Sequence, residues 1–186
     1  MRVIAGTAKG TRLIAPKGLN IRPTLDRVRE ALFSILTPRV EGAHFLDLFA
    51  GTGANGIEAL SRGAASATFV DNDARSLEMI RRNLDTARLA VNAVVCRLDL
   101  PKGLSTLPSH SASCDIVFAD PPYGYARDDP DAYAKLLDAL YDAKILAVGA
   151  IVVIEHDFRS SLPEKTAHFA CARQARYGET ALSFFS

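Results

Sequence analysis

The sequence of 186 residues contains no tryptophan, only three cysteines and no apolar run long enough to cross a membrane. The cysteines, Cys96, Cys114 and Cys171, are scattered and odd in number, which excludes a disulfide framework and a metal-binding spacing. The N-terminus lacks the apolar segment of a signal peptide. These absences predict a cytoplasmic protein that works in a reducing compartment, without a metal and without a membrane partner.

The nearly balanced charge of the chain, +1 overall, hides an asymmetry. Residues 1–39 contain eight basic and two acidic residues, a net charge of +6, whereas the remainder contains 14 basic and 19 acidic residues, a net charge of −5. A basic segment on an acidic body indicates a polyanionic partner, with a solvated basic face as the alternative. The expected RNA-binding residues are Arg2, Lys9, Arg12, Arg22 and Arg27.

The spacing of apolar residues predicts an α/β protein. Short apolar runs near 45–49, 67–70, 93–96, 116–118 and 150–154 alternate with helical patterns, and two weaker strands near 167–175 and 180–185 are expected to pair antiparallel. Such alternation is typical of a mostly parallel, doubly wound sheet. Before it, residues 1–15 resemble a hairpin. A helix is expected from about 25 to 36, with Thr24 as its N-terminal cap and with Pro38 closing it. We therefore divide the chain into an N-terminal extension, 1–39, and a compact unit, 40–186.

A glycine-rich turn follows the first strand of the compact unit. Gly51, Gly53 and Gly56, with Asp71 twenty residues beyond the first of them, match the fingerprint of dinucleotide-binding proteins. Asp47, inside that strand, would repel a pyrophosphate but could hold an amino group. S-adenosylmethionine, which has an amino-acid end and no phosphate, fits this pattern better. The expected cofactor-binding residues are Asp47, Phe49, Gly51, Gly53, Asp71, Asn72 and Asp99.

A second motif, Asp120-Pro121-Pro122-Tyr123, ends the fourth strand, because prolines cannot continue the ladder of a central strand. In open α/β sheets, ligands bind beyond the carboxyl ends of the strands. A carboxylate and a neighbouring carbonyl can accept both N–H groups of a nucleobase amine, and an aromatic ring can stack on the extruded base. We therefore predict catalytic roles for all four residues, although a plain proline-rich turn is the simpler alternative.

The remaining polar candidates have weaker support. The four histidines are dispersed and are expected in surface or loop positions. Glu155, which follows the fifth apolar run, could line a cleft, but a solvated strand end is the expected environment.

Four segments give the chain a resemblance to a known family. They are Arg2-Val3-Ile4-Ala5-Gly6, the stretch from Arg22-Pro23-Thr24 to Glu30, Asp47-x-Phe49-Ala50-Gly51-Thr52-Gly53, and Asp120-Pro121-Pro122-Tyr123. In this order they resemble the bacterial 16S ribosomal RNA guanine-N2 methyltransferases. The resemblance implies a Rossmann-like methyltransferase fold, S-adenosylmethionine as methyl donor, and 16S rRNA within the 30S subunit as substrate. A monomer is expected.

Two other functions stay open at this point. A DNA adenine-N6 methyltransferase would share the Asp-Pro-Pro-Tyr motif, although such enzymes usually carry an added target-recognition region for which this chain has no room. A non-catalytic RNA-binding or ribosome-assembly factor could keep the same fold, but the intact Asp47, Gly51, Gly53 and Asp120 disfavour it.

Overall fold

The computed structural model describes residues 1–16, 23–107 and 113–186, with backbone only for residues 23–25. The expected phosphate contact Arg22 therefore lies outside the described residues. No helix in the described part is both long and apolar enough to cross a membrane.

A seven-stranded sheet forms the centre of the molecule. Its strands are β1 (His44–Leu48), β2 (Ser66–Asp71), β3 (Ala93–Arg97), β4 (Cys114–Ala119), β5 (Leu146–Asp157), β6 (Cys171–Tyr177) and β7 (Thr180–Phe185). The order across the sheet is β3-β2-β1-β4-β5-β7-β6. The first five strands are parallel, whereas β7 is antiparallel to both β5 and β6. This architecture confirms the predicted fold class, including the antiparallel pair at the end of the chain.

Helices cover both faces of the sheet. They are α1 (Pro23–Val40), α2 (Ala54–Ser61), α3 (Ala74–Ala87) and α4 (Ala132–Asp142), with short 3₁₀ turns at Ala90–Asn92 and Lys102–Thr106. The first three pack on one face around the buried rings of Phe45, Phe69 and Phe118. Helix α4 packs on the other face through Leu136, Leu137 and Leu140.

Helix α1 is longer than the sequence predicted at both ends. It begins at Pro23, before the expected cap Thr24, and it continues through Pro38 to Val40. A proline at the first position of a helix costs no hydrogen bond, because that N–H has no partner within the helix. In the last turn, Pro38 is exposed, and the buried side chain of Val40 keeps the chain helical beyond it.

The N-terminal hairpin is confirmed, but in a minimal form. Arg2 and Arg12 form a single antiparallel bridge, and Val3 exchanges backbone hydrogen bonds with Gly10 and Thr11 across the turn. Its buried side chains, Val3, Ala8 and Leu13, belong to the same hydrophobic cluster as the rings under the sheet. The boundary at residue 39 therefore separates a basic segment from an acidic one, but residues on both sides of it pack into the same hydrophobic cluster.

Buried polar groups of α2 and α3 attach this hairpin to the sheet domain. The Glu58 carboxylate, fully buried, accepts the N–H groups of Ile4 at 2.7 Å and Ala5 at 3.0 Å. The Asn83 amide contacts both backbone groups of Ile14 and also donates to the Thr52 carbonyl in the glycine-rich turn. The N-terminal segment is thereby linked directly to the turn expected to hold the cofactor.

Candidate active site

Three carboxylates converge at one edge of the sheet. The register pairs Leu48 of β1 with Val70 of β2 and with Ala119 of β4. Asp71 and Asp120, the residues after those two partners, therefore lie on either side of the end of β1. Asp47 lies one position further inside β1 and is 1% exposed. The sequence-predicted cofactor and amine sites are thus adjacent.

The glycine-rich turn is shaped by backbone conformation and by two of these carboxylates. Gly53 adopts a left-handed conformation, φ +75°, immediately before α2, and a Cβ there would lie 3.1–3.3 Å from Ile80 and Phe69. Asp47 Oδ2 accepts the N–H of Gly56 at 2.9 Å. The strand that carries Asp47 and the helix that follows the turn are therefore joined beneath the expected cofactor site.

Asp71 is held by backbone donors on both of its oxygens. Its Oδ2 accepts the N–H of Gly51 at 2.8 Å, and its Oδ1 accepts the N–H of Asp73 at 2.9 Å. A carboxylate oxygen can accept more than one hydrogen bond, so Asp71 can still receive two neighbouring hydroxyl groups. This geometry suits the ribose-binding role predicted for it.

The electrostatics of the edge favour a cation. Burial is the main cause that raises the pKa of Asp47 to about 8; the N–H of Gly56 opposes the shift, and the carboxyls of Asp120 and Asp71 add to it. Asp120 is an exposed residue, yet desolvation of its carboxyl at the cleft raises the pKa of that group to about 7. Clustered carboxylates that disfavour one another's charge are stabilised by a positive ligand and would repel a pyrophosphate. This group of three carboxylates therefore fits the positively charged amino and sulfonium groups of S-adenosylmethionine.

The turn after β4 presents acceptors and an aromatic ring. The Pro122 carbonyl accepts the N–H of Tyr125 at 3.0 Å, whereas the Pro121 carbonyl accepts no hydrogen bond from the described residues. The Tyr123 ring is 84% exposed. Asp120, Pro121, Pro122 and Tyr123 line one cleft, so the structure brings together the residues predicted to handle the amine.

A row of aromatic side chains packs next to the turn after β4. Tyr125 packs edge-on against Phe49 at 5.5 Å between ring centroids and contacts Tyr133 at the same distance. Tyr133 in turn contacts His156, whose Nε2 lies 2.8 Å from Ser183 Oγ. The expectation of a surface position is wrong for His156, which is buried between β7 and the cleft. Phe49 is thus placed between the glycine-rich turn and the turn after β4.

Glu155 is the acidic group of the site that sequence reasoning placed incorrectly. It is half-buried and lines the same cleft as Asp120, instead of lying at a solvated strand end. Burial raises the pKa of Glu155 well above its usual value, the Asp120 carboxyl raises it further, and Arg29 opposes the shift. The available signal was that Glu155 follows an apolar run directly, as Asp120 does.

Asn72 and Asp99, the residues expected near an adenine, are both exposed beyond the ends of β2 and β3. Among the described residues, neither side chain has a hydrogen-bond partner. The Asn72 carbonyl accepts the Arg97 guanidinium at 3.1 Å, and the Asp99 carbonyl accepts the N–H of Gly103 at 2.7 Å. Their roles toward a cofactor therefore stay predictions.

The described basic residues of the N-terminal segment form a surface. Arg2, Lys9, Arg12 and Arg27 are exposed, and none forms an ion pair within the described part of the chain. Arg2, Lys9 and Arg27 line one pocket of about 230 Å³ between the hairpin and α1.

Arg29, which the sequence groups with Arg22 and Arg27 at the start of α1, has a different environment from the exposed arginines. Its guanidinium is buried, donates to the Arg2 carbonyl at 2.7 Å, and pairs with Asp26 at 2.8 Å. The same group acts electrostatically on Glu155 in the cleft. Arg29 therefore links the hairpin to α1.

In residues 1–16, 23–107 and 113–186, no three or more His, Cys, Asp or Glu side chains are arranged so that they could hold a metal ion together. The expectation of a metal-free reaction stays a prediction.

The chain is similar to known proteins over its whole length. The family described as "Conserved hypothetical protein 95" matches residues 1–186. The chain is 36% identical over 185 residues to "Putative rRNA methyltransferase YlbH" of Bacillus subtilis (strain 168), covering 100% of this chain and 98% of that protein. It is 35% identical over 185 residues to "Ribosomal RNA small subunit methyltransferase D" of Escherichia coli (strain K12), with coverage of 100% and 89%.

A solved structure agrees with these relatives. That of "Putative methyltransferase yhhF from Escherichia coli" superposes with a TM-score of 0.82 and 36% identity, covering 100% of this chain and 96% of that one. The family resemblance indicated by the four sequence segments is thereby confirmed. The chain belongs to the family described as conserved hypothetical protein 95, the family of ribosomal RNA small subunit methyltransferase D.

Proposed function

We propose that this protein methylates the exocyclic N2 amine of a guanine in 16S rRNA, with S-adenosylmethionine as methyl donor and the assembled 30S particle as substrate. The observation that carries this proposal is the turn after β4. There, Asp120 and the unpaired Pro121 carbonyl present two acceptors beside the exposed ring of Tyr123. The names of the relatives, which refer to rRNA and to the small subunit, support the substrate class.

Asp120 and the Pro121 carbonyl act on the geometry of the amine. The lone pair of an exocyclic amine is delocalised into the ring, which makes the nitrogen a poor nucleophile. When two acceptors take its two N–H groups from different directions, the nitrogen moves towards a tetrahedral geometry and its lone pair becomes available. Tyr123 provides the flat surface on which the base lies once it leaves its stack.

The cofactor would bind beside this turn, at the carboxyl ends of β1 and β2. Asp47 lies where a carboxylate can attract the amino-acid end, and Asp71 can accept the two ribose hydroxyls. When bound, S-adenosylmethionine supplies an electrophilic methyl group on a positively charged sulfur. The protein then contributes mainly by aligning this group with the amine nitrogen. The amine becomes cationic as it accepts the methyl group and loses its proton afterwards, so Asp120 does not need to be a strong base.

The basic surface positions the RNA. Arg2, Lys9, Arg12 and Arg27 are free to contact phosphates, which orient a nucleic acid without reading its sequence. Arg29 donates a hydrogen bond to the backbone of Arg2 and also acts through its charge on Glu155 in the cleft that would receive the base. We propose the same contact for Arg22, on its sequence position alone.

Methyl transfer from radiolabelled S-adenosylmethionine tests this function directly. The parent protein should label 30S particles in preference to naked 16S rRNA and should leave DNA unlabelled, and nucleoside analysis should identify N2-methylguanosine. A labelled adenine in DNA would favour the DNA methyltransferase alternative, and an absence of labelling on all three would favour a non-catalytic assembly factor.

The variant Asp120→Ala tests the role of the acceptor turn. Loss of one aligned polar group should reduce the rate by about 10²–10³-fold, while the affinity for S-adenosylhomocysteine stays within a few-fold of the parent. Asp128→Ala, an exposed carboxylate in the loop that follows, is the matched control and should retain activity. A rate close to that of the parent in Asp120→Ala would contradict the mechanism.

A further inference from the structure

The cleft contains a second carboxyl that the mechanism above does not use. Strands β4 and β5 are parallel neighbours, and Ala119 is paired with Ile154. Asp120 and Glu155, the next residues of the two strands, therefore lie side by side and line the same cleft.

No direct partner among the described residues accounts for Glu155, on which Arg29 acts only through its charge. Its carboxylate accepts no hydrogen bond from the described residues, although it is half-buried. Its backbone partner across the sheet is the apolar Leu182 of β7, which offers no polar side chain. Glu58, by comparison, is buried on the same side of the sheet and is fully engaged by two backbone N–H groups and two arginines. An unpaired acceptor at the edge of a cleft is available to a ligand.

The chemistry of nucleobase amines indicates what such an acceptor would bind. In adenine and cytosine, the ring nitrogen next to the amine carries a lone pair and no hydrogen. In guanine, the N2 amine lies beside N1–H, so two donors face the same direction. An acceptor next to the amine site would hydrogen-bond guanine but would oppose a lone pair in adenine or cytosine, and an unmatched polar contact of this kind is costly. The Asp-Pro-Pro-Tyr turn alone cannot make this distinction, because every nucleobase amine offers it the same two N–H groups.

We propose that Glu155 determines base specificity by accepting the N1–H of guanine while Asp120 and the Pro121 carbonyl accept the N–H groups of the N2 amine. This inference rests on the proposed function, which it deepens by naming the residue that selects the base. Glu155 does not take part in methyl transfer itself. It places the amine, and it rejects bases whose neighbouring ring nitrogen has no hydrogen.

The test uses a base that keeps the amine and removes N1–H. 2-Aminopurine has the same 2-amino group as guanine, but its N1 carries a lone pair. We would assemble 30S particles from 16S rRNA prepared by splint ligation, with guanosine or 2-aminopurine riboside at the methylated position. The parent protein should show a kcat/KM for guanosine about 10–100-fold higher than for 2-aminopurine, the range expected when one hydrogen bond is replaced by an unmatched polar contact.

The variant Glu155→Gln should reduce this preference to within a few-fold. A glutamine can turn its oxygen towards N1–H or its NH₂ group towards a bare N1, so it no longer separates the two bases. Glu164→Gln removes the same charge from an exposed residue that does not line this cleft, and it should keep the ratio of the parent. Calorimetry with S-adenosylhomocysteine should give the same affinity for all three proteins, since Glu155 is not expected to contact the cofactor.

Each outcome decides the question. A parent enzyme that methylates 2-aminopurine as fast as guanosine overturns the inference without recourse to any variant. An unchanged ratio in Glu155→Gln also overturns it, whereas a ratio lost in that variant and kept in Glu164→Gln supports it. If the parent forms no N2-methylguanosine, nucleoside analysis reveals that the proposed function has failed, and the inference fails with it. Normal N2-methylguanosine formation with an unchanged ratio rejects the role of Glu155 alone.

Discussion

Replacing Gly6 by alanine should detach the N-terminal hairpin from the sheet domain. Gly6 has φ +83°, and a Cβ built there would lie 1.7 Å from the carbonyl oxygen of Ser61. The obstacle is the backbone of α2, which cannot rotate away as a flexible side chain could. The hairpin must therefore move as a unit.

The size of the effect follows from what that movement breaks. The Thr7 N–H donates to the Ser61 carbonyl at 2.8 Å, the Ala8 N–H donates to Ser61 Oγ at 2.9 Å, and Ser61 Oγ donates to the Ala5 carbonyl at 2.6 Å. Three hydrogen bonds contribute about 1.5–4.5 kcal/mol together, at about 0.5–1.5 kcal/mol each. The left-handed backbone conformation costs a non-glycine residue about 1–2 kcal/mol more.

The matched control is Gly10→Ala. Gly10 has nearly the same backbone conformation, φ +86°, but no atom lies within 4 Å of a Cβ at that position. This variant should show only the conformational cost of about 1–2 kcal/mol. Urea unfolding of both variants, extrapolated to water, isolates the contribution of the contact with α2. Equal destabilisation of the two proteins would refute the view that close packing against Ser61 anchors the hairpin.

Three further predictions concern the cofactor edge and the RNA surface. Asp71→Ala should weaken binding of S-adenosylhomocysteine, measured by calorimetry, by about 1.5–3 kcal/mol for each charged hydrogen bond lost, whereas Asn72→Ala, which removes an exposed side chain, should cost less. The folded protein retains a proton on Asp47 that the unfolded chain releases, so its free energy of unfolding should fall as pH rises from about 4 to about 8. Asp47→Asn should reduce that slope by up to about 1.4 kcal/mol per pH unit. If the free energy of unfolding has the same pH dependence in the parent and in the variant, the prediction is wrong. Charge reversal of Lys9 and Arg12 should weaken 30S binding and lower the salt dependence by about 0.7–0.9 per lost phosphate contact; affinity and slope equal to the parent's would place the RNA elsewhere.

The sequence alone determined the features that depend on local patterns. Apolar runs near glycine, proline or aspartate indicated the five parallel strands, because a buried strand needs only consecutive apolar residues and a residue that stops it. Weaker patterns indicated the last two strands. The Asp120-Pro121-Pro122-Tyr123 turn was recognised for the same reason, since its four residues are contiguous. The boundaries of α1 were less accurate, because Pro38 stops a helix by local rules, whereas the burial of Val40 extends it.

Only the tertiary structure decided which distant groups meet. Glu155 reads locally as the polar end of a strand, and its place in the cleft depends on β5 pairing with β4, which lies more than thirty residues earlier in the chain. The sequence around Glu58 and Asn83 indicates only helices. Their hydrogen bonds to the hairpin join residues that are 54 and 69 positions apart in the chain. Hydrogen bonds and electrostatic repulsion act over a few ångströms of space, and sequence order does not specify those distances. The chemistry of the amine turn was therefore readable from the chain, while the carboxyl proposed to select the base became visible only when two strands were placed side by side.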